Sequence, residues 1–247
     1  MRTYGLPFIR DVDLYNHVLD TVGKYRFEIN LKKFNRNLLD PIKLTFDAKV
    51  YGLPIEQLIE REVARQIDKS NTNHIGYFHQ NIFQYMGDGW TVPATGYDLI
   101  HKENHIYVEM KNKHNTMNSS SAQRVYTRMQ STLLRDSAAT CMLVEVIAKR
   151  SQNIRWRVSI DRESFAHERI RRVSIDQFYE IATGIPDAFK QLCEILPTVL
   201  DDVIASQEQT LITNSVMSEL EDISPDLFKS IYLLAFKHYA GFGAFNV

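Results

Sequence analysis

Three residues near the middle of the chain have the types and spacing needed for metal-assisted hydrolysis of a phosphodiester: Asp98, Glu109 and Lys111. Glu109 and Lys111 stand two apart in an otherwise apolar stretch, IYVEM followed by K, so on a β-strand both side chains leave the same face. Asp98 precedes them in GYDLIHKENHIYVEMKNK, across a polar turn at Lys102-Glu103-Asn104. Antiparallel pairing through that turn brings Asp98 beside the same face. Carboxylates are hard oxygen donors and hold Mg²⁺ ions that keep several of their waters. Such an ion polarises the scissile phosphate and stabilises the charge that builds on it. Lys111 would orient or help deprotonate the attacking water, and the backbone carbonyl of Met110 would complete the coordination. The spacing by itself admits another reading, a solvated Glu/Lys face on an edge hairpin. The apolar setting favours the first, because burying a carboxylate beside an amine is costly unless the two are paired or bind metal. Asp98 depends on the hairpin register, since a slip of one residue turns its side chain to the other face.

The elements that must position this trio follow from periodicity. Residues 97–101 and 105–111 read as two short strands. NTMNSSSAQ is a polar loop and helix start leading into RVYTRMQSTLLRD, an amphipathic helix. CMLVEVIA (141–148) is nearly continuous in apolar, branched residues, as in a central strand covered on both faces. IRWRVSI (154–160) alternates like an outer strand. Upstream, residues 10–40 carry mixed helical patterning broken by Gly23 and closed by Asp40-Pro41. IKLTFDAKVY (42–51) alternates as a short strand or extended segment. Pro54 sits at a first helical turn, and Ile55, Leu58, Ile59, Val63 and Ile67 continue it for about four turns. Asn71-Thr72-Asn73 reads as a turn and cap before a second helix over 74–86, which Gly87-Asp88-Gly89 ends. Beyond about residue 176 the chain is mostly helical. The class is α/β, a mixed sheet sandwiched by helices.

At 247 residues the chain can bury a full core without staples, as one large domain or a core with helical additions. Its two cysteines, Cys141 and Cys193, make neither a disulfide framework nor a zinc-ligand pattern. The N-terminus lacks a signal-peptide stretch, and no run approaches the roughly 20 apolar residues of a membrane span. A reduced, cytoplasmic setting is expected. A formal net charge of −1 argues, taken alone, against a nucleic-acid binder, but its distribution is uneven. Between Lys149 and Arg172 eight basic residues face three acids, whereas Glu194 to Asp226 holds eight acids and no Lys or Arg.

The element order and the Asp98…Glu109-Met110-Lys111 pattern resemble the PD-(D/E)xK nuclease superfamily. More narrowly, YVEMKNKHNTMNSSS, with NHIGYFHQNIF upstream and LVEVIAK downstream, resembles the type II restriction endonucleases that cut G-G-N-C-C sites. The resemblance runs from about residue 46 to the helices beyond 176 and is most specific over 97–121. It implies a restriction-endonuclease-like fold: a mixed central β-sheet flanked by helices, with additional N- and C-terminal helices. It implies one domain over 1–247, with a catalytic core at about 46–175 and helical additions at 1–45 and 176–247. It also implies Mg²⁺ as cofactor and a homodimer that cuts both strands of double-stranded DNA at a short palindromic site. A companion DNA methyltransferase is expected in the same system. By position, Asp98 and Glu109 would be metal ligands and Lys111 the catalytic lysine. Gly96-Tyr97 precedes Asp98 where the motif has proline. Two other readings remain open, a structure-selective repair or junction nuclease of the same superfamily and a non-catalytic DNA-binding module that keeps the fold.

Further positions are candidates beside this core. Glu62 matches the place where members of the superfamily present an extra acid near the metal, against the plainer reading of a solvated helix charge. Glu60 lies on a different side of its helix. Asn118, Ser119, Ser120 and Ser121 open the helix after the catalytic strand, where hydroxyls and N–H groups bind phosphates or simply cap. Gln123, Arg124 and Arg128 extend this surface towards a groove whose base edges Gln and Arg can read. His101, His105 and His114 flank the site without an evident ligand geometry. Trp90, Tyr77 and Phe78 read as core. The basic stretch 149–172 suits a DNA-facing surface, and the acidic stretch faces away or meets a partner subunit.

Overall fold

Contacts along the chain gather into two units, residues 1–23 with 75–207 and residues 24–74 with 208–247. The computed structural model describes residues 2–87, 89–114, 116–207, 212–240, 242 and 245. Asp88 of the expected glycine turn, Asn115 of the polar loop and Glu208 of the acidic stretch lie outside them.

After α1 (Asp11–Gly23), which belongs to the first unit, the chain builds the second. Its elements are β1 (Glu28–Ile29), α2 (Leu31–Asn35), α3 (Pro41–Tyr51), the first part of α4 (Ile55–Asn81), β8 (Thr213–Asn214), α8 (Val216–Glu221) and α9 (Leu227–Phe236). β1 and β8 pair in parallel, and Ile29, Phe34, Leu44, Ile59, Leu220 and Ile231 fill the core. Two expectations fail here. Residues 42–51 are helical, although Ile42, Leu44, Phe46, Ala48 and Val50 alternate as a strand would. The ends decide. Asp40 accepts a hydrogen bond from Lys43 N at 3.0 Å, Pro41 takes the first helical turn, and Gly52 stops the helix at φ 64°. Asp40-Pro41 therefore starts a helix. Likewise α4 runs unbroken through Asn71-Thr72-Asn73, because the Asn71 side chain accepts from Arg26 N at 3.1 Å and does not turn back to cap.

The first unit holds a six-stranded sheet. A short 3₁₀ turn (Ile82–Tyr85) leads to β2 (Trp90–Thr91), β3 (Leu99–His101) and β4 (Ile106–Lys113). Then come α5 (Ser119–Arg135), β5 (Thr140–Ile147), β6 (Asn153–Ile160), β7 (Glu163–Ser174), α6 (Ile175–Thr183) and α7 (Ala188–Ala205). The spatial order is β2-β3-β4-β5-β7-β6, with β4, β5 and β7 mutually parallel and the others antiparallel to their neighbours. The apolar run at 141–148 is central, as expected. Met142 and Val144 pack with Val18, Phe178 and Leu192, while Cys141 and Leu143 pack with Tyr126, Met129 and Trp156. Two covered faces are why the residues from Cys141 to Val144 are all apolar.

β7 has no counterpart in the sequence reading. ESFAHERIRRVS looks too polar for a strand, yet it lies between β5 and β6. Ile160 pairs with Glu163, and the two loop residues, Asp161 and Arg162, take φ of 51° and 71°. That is the primed hairpin geometry, formed without the usual glycine. Among the residues read as core, Trp90 and Phe78 are buried and Tyr77 is exposed.

His101 is buried, with its ring edge-on to Trp90 at 5.1 Å. Gly89 makes this possible: at φ +100° a Cβ there would stand 2.7 Å from the His101 ring. Gly89→Ala is expected to cost about 2 kcal/mol through strain and overpacking. The melting temperature should fall by roughly 4–8 °C. An unchanged melt would show that this corner tolerates a side chain.

Candidate active site

The β3–β4 hairpin pairs Leu99 with Val108, Ile100 with Tyr107 and His101 with Ile106. Asp98 lies just before this paired stretch, and its own hydrogen bonds place it beside Val108 and Met110. Asp98 N donates to Val108 O at 2.9 Å, and Met110 N donates to the Asp98 carboxylate at 2.7 Å. The Gln80 amide also donates to the Asp98 carbonyl at 2.9 Å. Three hydrogen bonds therefore fix the residue whose placement the register left in question. Glu109 and Lys111 share a face, as the alternation requires, and Lys111 Nζ lies 2.7 Å from Glu109 Oε1. The other Glu109 oxygen accepts from Arg128, which reaches across from the middle of α5. Arg128 also donates to Gly96 O at 2.7 Å, and its guanidinium lies 4.8 Å from the centre of the Tyr97 ring.

Glu109 is only 8% exposed and Asp98 is half-buried. Burial, and then the charge of Glu109, push the Asp98 carboxyl above the ordinary aspartate range, against the opposing pull of the Met110 N–H, Lys111 and Arg128. Two acids withdrawn from water side by side make a place for a cation. The donor set suits a hard ion. It offers two carboxylates and the Met110 carbonyl, which leaves the strand on the same edge as the N–H that binds Asp98. Among the described residues no group of three or more His, Cys, Asp or Glu converges. A bound ion would therefore take the rest of its shell from water and phosphate oxygens, as Mg²⁺ does at phosphoryl sites.

Beside Lys111 the sheet opens into a cleft of about 260 Å³, lined by Lys113, Ser119, Glu145, Arg157 and Arg172 among others. Glu145 pairs in register with Lys111 across β4 and β5 and is 2% exposed. Arg172 ion-pairs with it, and His114 Nδ1 lies 3.0 Å from its other oxygen. Sequence reasoning did not single out Glu145 or Arg172. The available signal was an acid interrupting the apolar run CMLVEVIA, because a buried carboxylate requires a cationic partner.

The other candidates divide. Ser119 lines the cleft. Asn118 caps α5, accepting from Ser121 N at 2.9 Å, and Ser120 and Ser121 fall in the same first turn. Gln123 donates to Ser159 O at 2.9 Å, tying α5 to β6, whereas Arg124 is exposed. Glu62 lies in the second unit, where Arg65 at 2.6 Å and Gln66 at 3.0 Å engage it. His105 pairs with Asp136 at 2.8 Å. The basic stretch is no single field, for Arg155 pairs with Glu168 and Arg171 bonds Asn153 on the β6–β7 ribbon.

A mixed sheet between helices, with two acids and a lysine at the end of a β-hairpin, defines the restriction-endonuclease-like class of PD-(D/E)xK nucleases. The chain belongs to the Eco47II restriction endonuclease family, whose model matches residues 6–205. It is similar to the type II restriction enzyme Sau96I of Staphylococcus aureus, 34% identical over 215 residues that cover 82% of each chain. It is also similar to the type II restriction enzyme Eco47II of Escherichia coli, 28% identical over 217 residues, 82% of this chain and 89% of that one. By class it is a metal-dependent, DNA-cleaving type II restriction endonuclease. No helix among the described residues is long and apolar enough to cross a membrane.

Proposed function

We propose that this enzyme uses Mg²⁺ held by Asp98, Glu109 and the Met110 carbonyl to cut both strands of double-stranded DNA at a short palindromic site. The observation that carries the reading is the convergence of Asp98, Glu109 and Lys111 at the end of the β3–β4 hairpin. When bound, the ion polarises the phosphate and lowers the pKa of a coordinated water. Lys111 supplies three donors and a positive charge at that point. It orients the attacking water and offsets charge on the phosphate; the water oxygen bonds to phosphorus as it gives up a proton to solvent, and the P–O bond to the leaving oxygen breaks as that oxygen takes up a proton from solvent. Ser119 and the first turn of α5, together with Lys113 and Arg157 in the cleft, receive the neighbouring backbone. Gln123 and Arg124 stand next on this surface and would extend it towards the bases.

One site cuts one strand, so a symmetric double-strand cut requires two copies related by a two-fold axis, a homodimer. Exposed apolar side chains at four-residue spacing on α3 in the second unit, Ile42, Phe46 and Val50, support an association surface. A G-G-N-C-C target follows from the sequence resemblance. A companion methyltransferase would shield the host's own copies of that target. The free thiols of Cys141 and Cys193 suit a reducing cytoplasm.

Plasmid digestion tests the reading. Discrete fragments are expected with Mg²⁺ and intact plasmid with EDTA, and sequencing the fragment ends gives the target and overhang. Intact plasmid at excess folded enzyme with Mg²⁺ would sink it.

A further inference from the structure

Every oxygen of Glu109 already has a cation. Lys111 holds one and Arg128 the other, while one oxygen of Asp98 accepts the Met110 N–H. Two acids and two bases leave the locus electrically balanced, and a balanced locus offers a divalent ion little Coulombic attraction. One of the cations must withdraw before Glu109 can act as a ligand.

We propose that Arg128 is the displaceable counter-ion of Glu109, and that its transfer from Glu109 to a DNA phosphate makes metal binding and DNA binding depend on each other. The inference rests on reading Asp98 and Glu109 as the metal ligands. Geometry selects Arg128 over Lys111. Lys111 shares a strand face with Glu109, and the proposed chemistry keeps its charge at the attacking water and the phosphate. Arg128 comes from another element and has holds of its own, the Gly96 carbonyl and the Tyr97 ring, whose hydroxyl bonds Thr132 at 2.8 Å. Released from Glu109, it remains tethered beside the site. Its Nε is buried without a hydrogen-bond partner, so the guanidinium is incompletely satisfied where it rests. A planar fork of donors is matched by a phosphate, which can accept two of its hydrogen bonds at once. Arg128 on a phosphate and the ion on Glu109 then form two favourable contacts in place of one. Linkage makes the effect reciprocal: DNA raises metal affinity by the factor by which metal raises DNA affinity.

Ca²⁺ binding to the full-length protein, measured by calorimetry, tests this without turnover. Measurements are made without DNA and with a duplex carrying the cut sequence mapped from plasmid digestion. In the wild type, duplex should tighten Ca²⁺ binding by about tenfold or more. Arg128→Met should bind Ca²⁺ about tenfold more tightly than wild type without DNA and lose most of the enhancement by duplex. Arg128→Gln, which keeps a donor for the Gly96 carbonyl, should behave likewise if the methionine variant fails to fold. Arg128→Lys keeps the charge and should stay near wild type. Free-enzyme Ca²⁺ affinity that is unchanged or weaker in folded Met or Gln variants would overturn the proposal and make Arg128 a fixed tie. Wild-type protein that never cuts plasmid fails at the earlier, nuclease reading instead.

Discussion

Glu109→Ala is expected to lower plasmid cleavage by about 10³-fold while duplex binding persists or tightens. On the ligand set proposed above, the substitution leaves Asp98 and one backbone carbonyl for the ion, too few donors to position it against the phosphate. It also frees both Lys111 and Arg128 from the carboxylate they now share. The locus changes from balanced to positive, which favours DNA phosphates electrostatically. Lys111→Met should lose cutting by a comparable factor but, having removed a positive charge, should bind duplex more weakly than Glu109→Ala. Gel shifts in Ca²⁺ beside plasmid digestion in Mg²⁺ separate the two quantities. Cleavage by Glu109→Ala within tenfold of wild type would remove this residue from the metal site. The difference in binding between the two variants is diagnostic, since general unfolding would weaken both alike.

The parts of this site that were legible in the sequence are those set by local rules. Glu109 and Lys111 share a face because strand residues alternate, and the run around Leu143 is central because, Glu145 apart, its residues are apolar. Asp98 was legible only conditionally, and its register is settled by backbone ties from Val108 and Met110. Local pattern misled where two periods coincide. Residues 42–50 alternate like a strand, but Asp40, Pro41 and Gly52 supply helix ends, and the ends prevail. β7 was hidden because its charged residues find partners only once β6 folds beside it: Arg155 pairs with Glu168, and Asn153 accepts from Arg171. Arg128 read as a surface residue reaching for the groove. That it grips Glu109 depends on how α5 crosses the sheet, which no spacing within α5 records. Long-range pairs of this kind lie beyond periodicity.

Glu145 is the other such pair, and its chief partner should be the more sensitive half. Arg172→Met is expected to destabilise the protein by about 3 kcal/mol at pH 7, because it leaves a carboxylate that is almost wholly buried without its guanidinium. For a chain of this size the melting temperature should drop by roughly 6–12 °C. The pH dependence identifies the group responsible. Burial raises the Glu145 pKa, but hydrogen bonds and charge from Arg172 and His114 outweigh it and hold the carboxyl below the ordinary glutamate value of 4.5. A depressed carboxyl contributes stability above its unfolded value and loses it as pH falls through the folded one. The wild type should therefore keep this contribution down to about pH 4.5 and lose it only below. In Arg172→Met the burial that remains has less to oppose it, so the Glu145 carboxyl binds a proton more readily. The gap between the two melting temperatures should accordingly be widest near neutrality and narrow as the solution is acidified. Thermal melts followed by circular dichroism from pH 7 down to pH 4 measure that gap, and a constant gap would assign the loss to packing of the Arg172 stem rather than to its charge on Glu145.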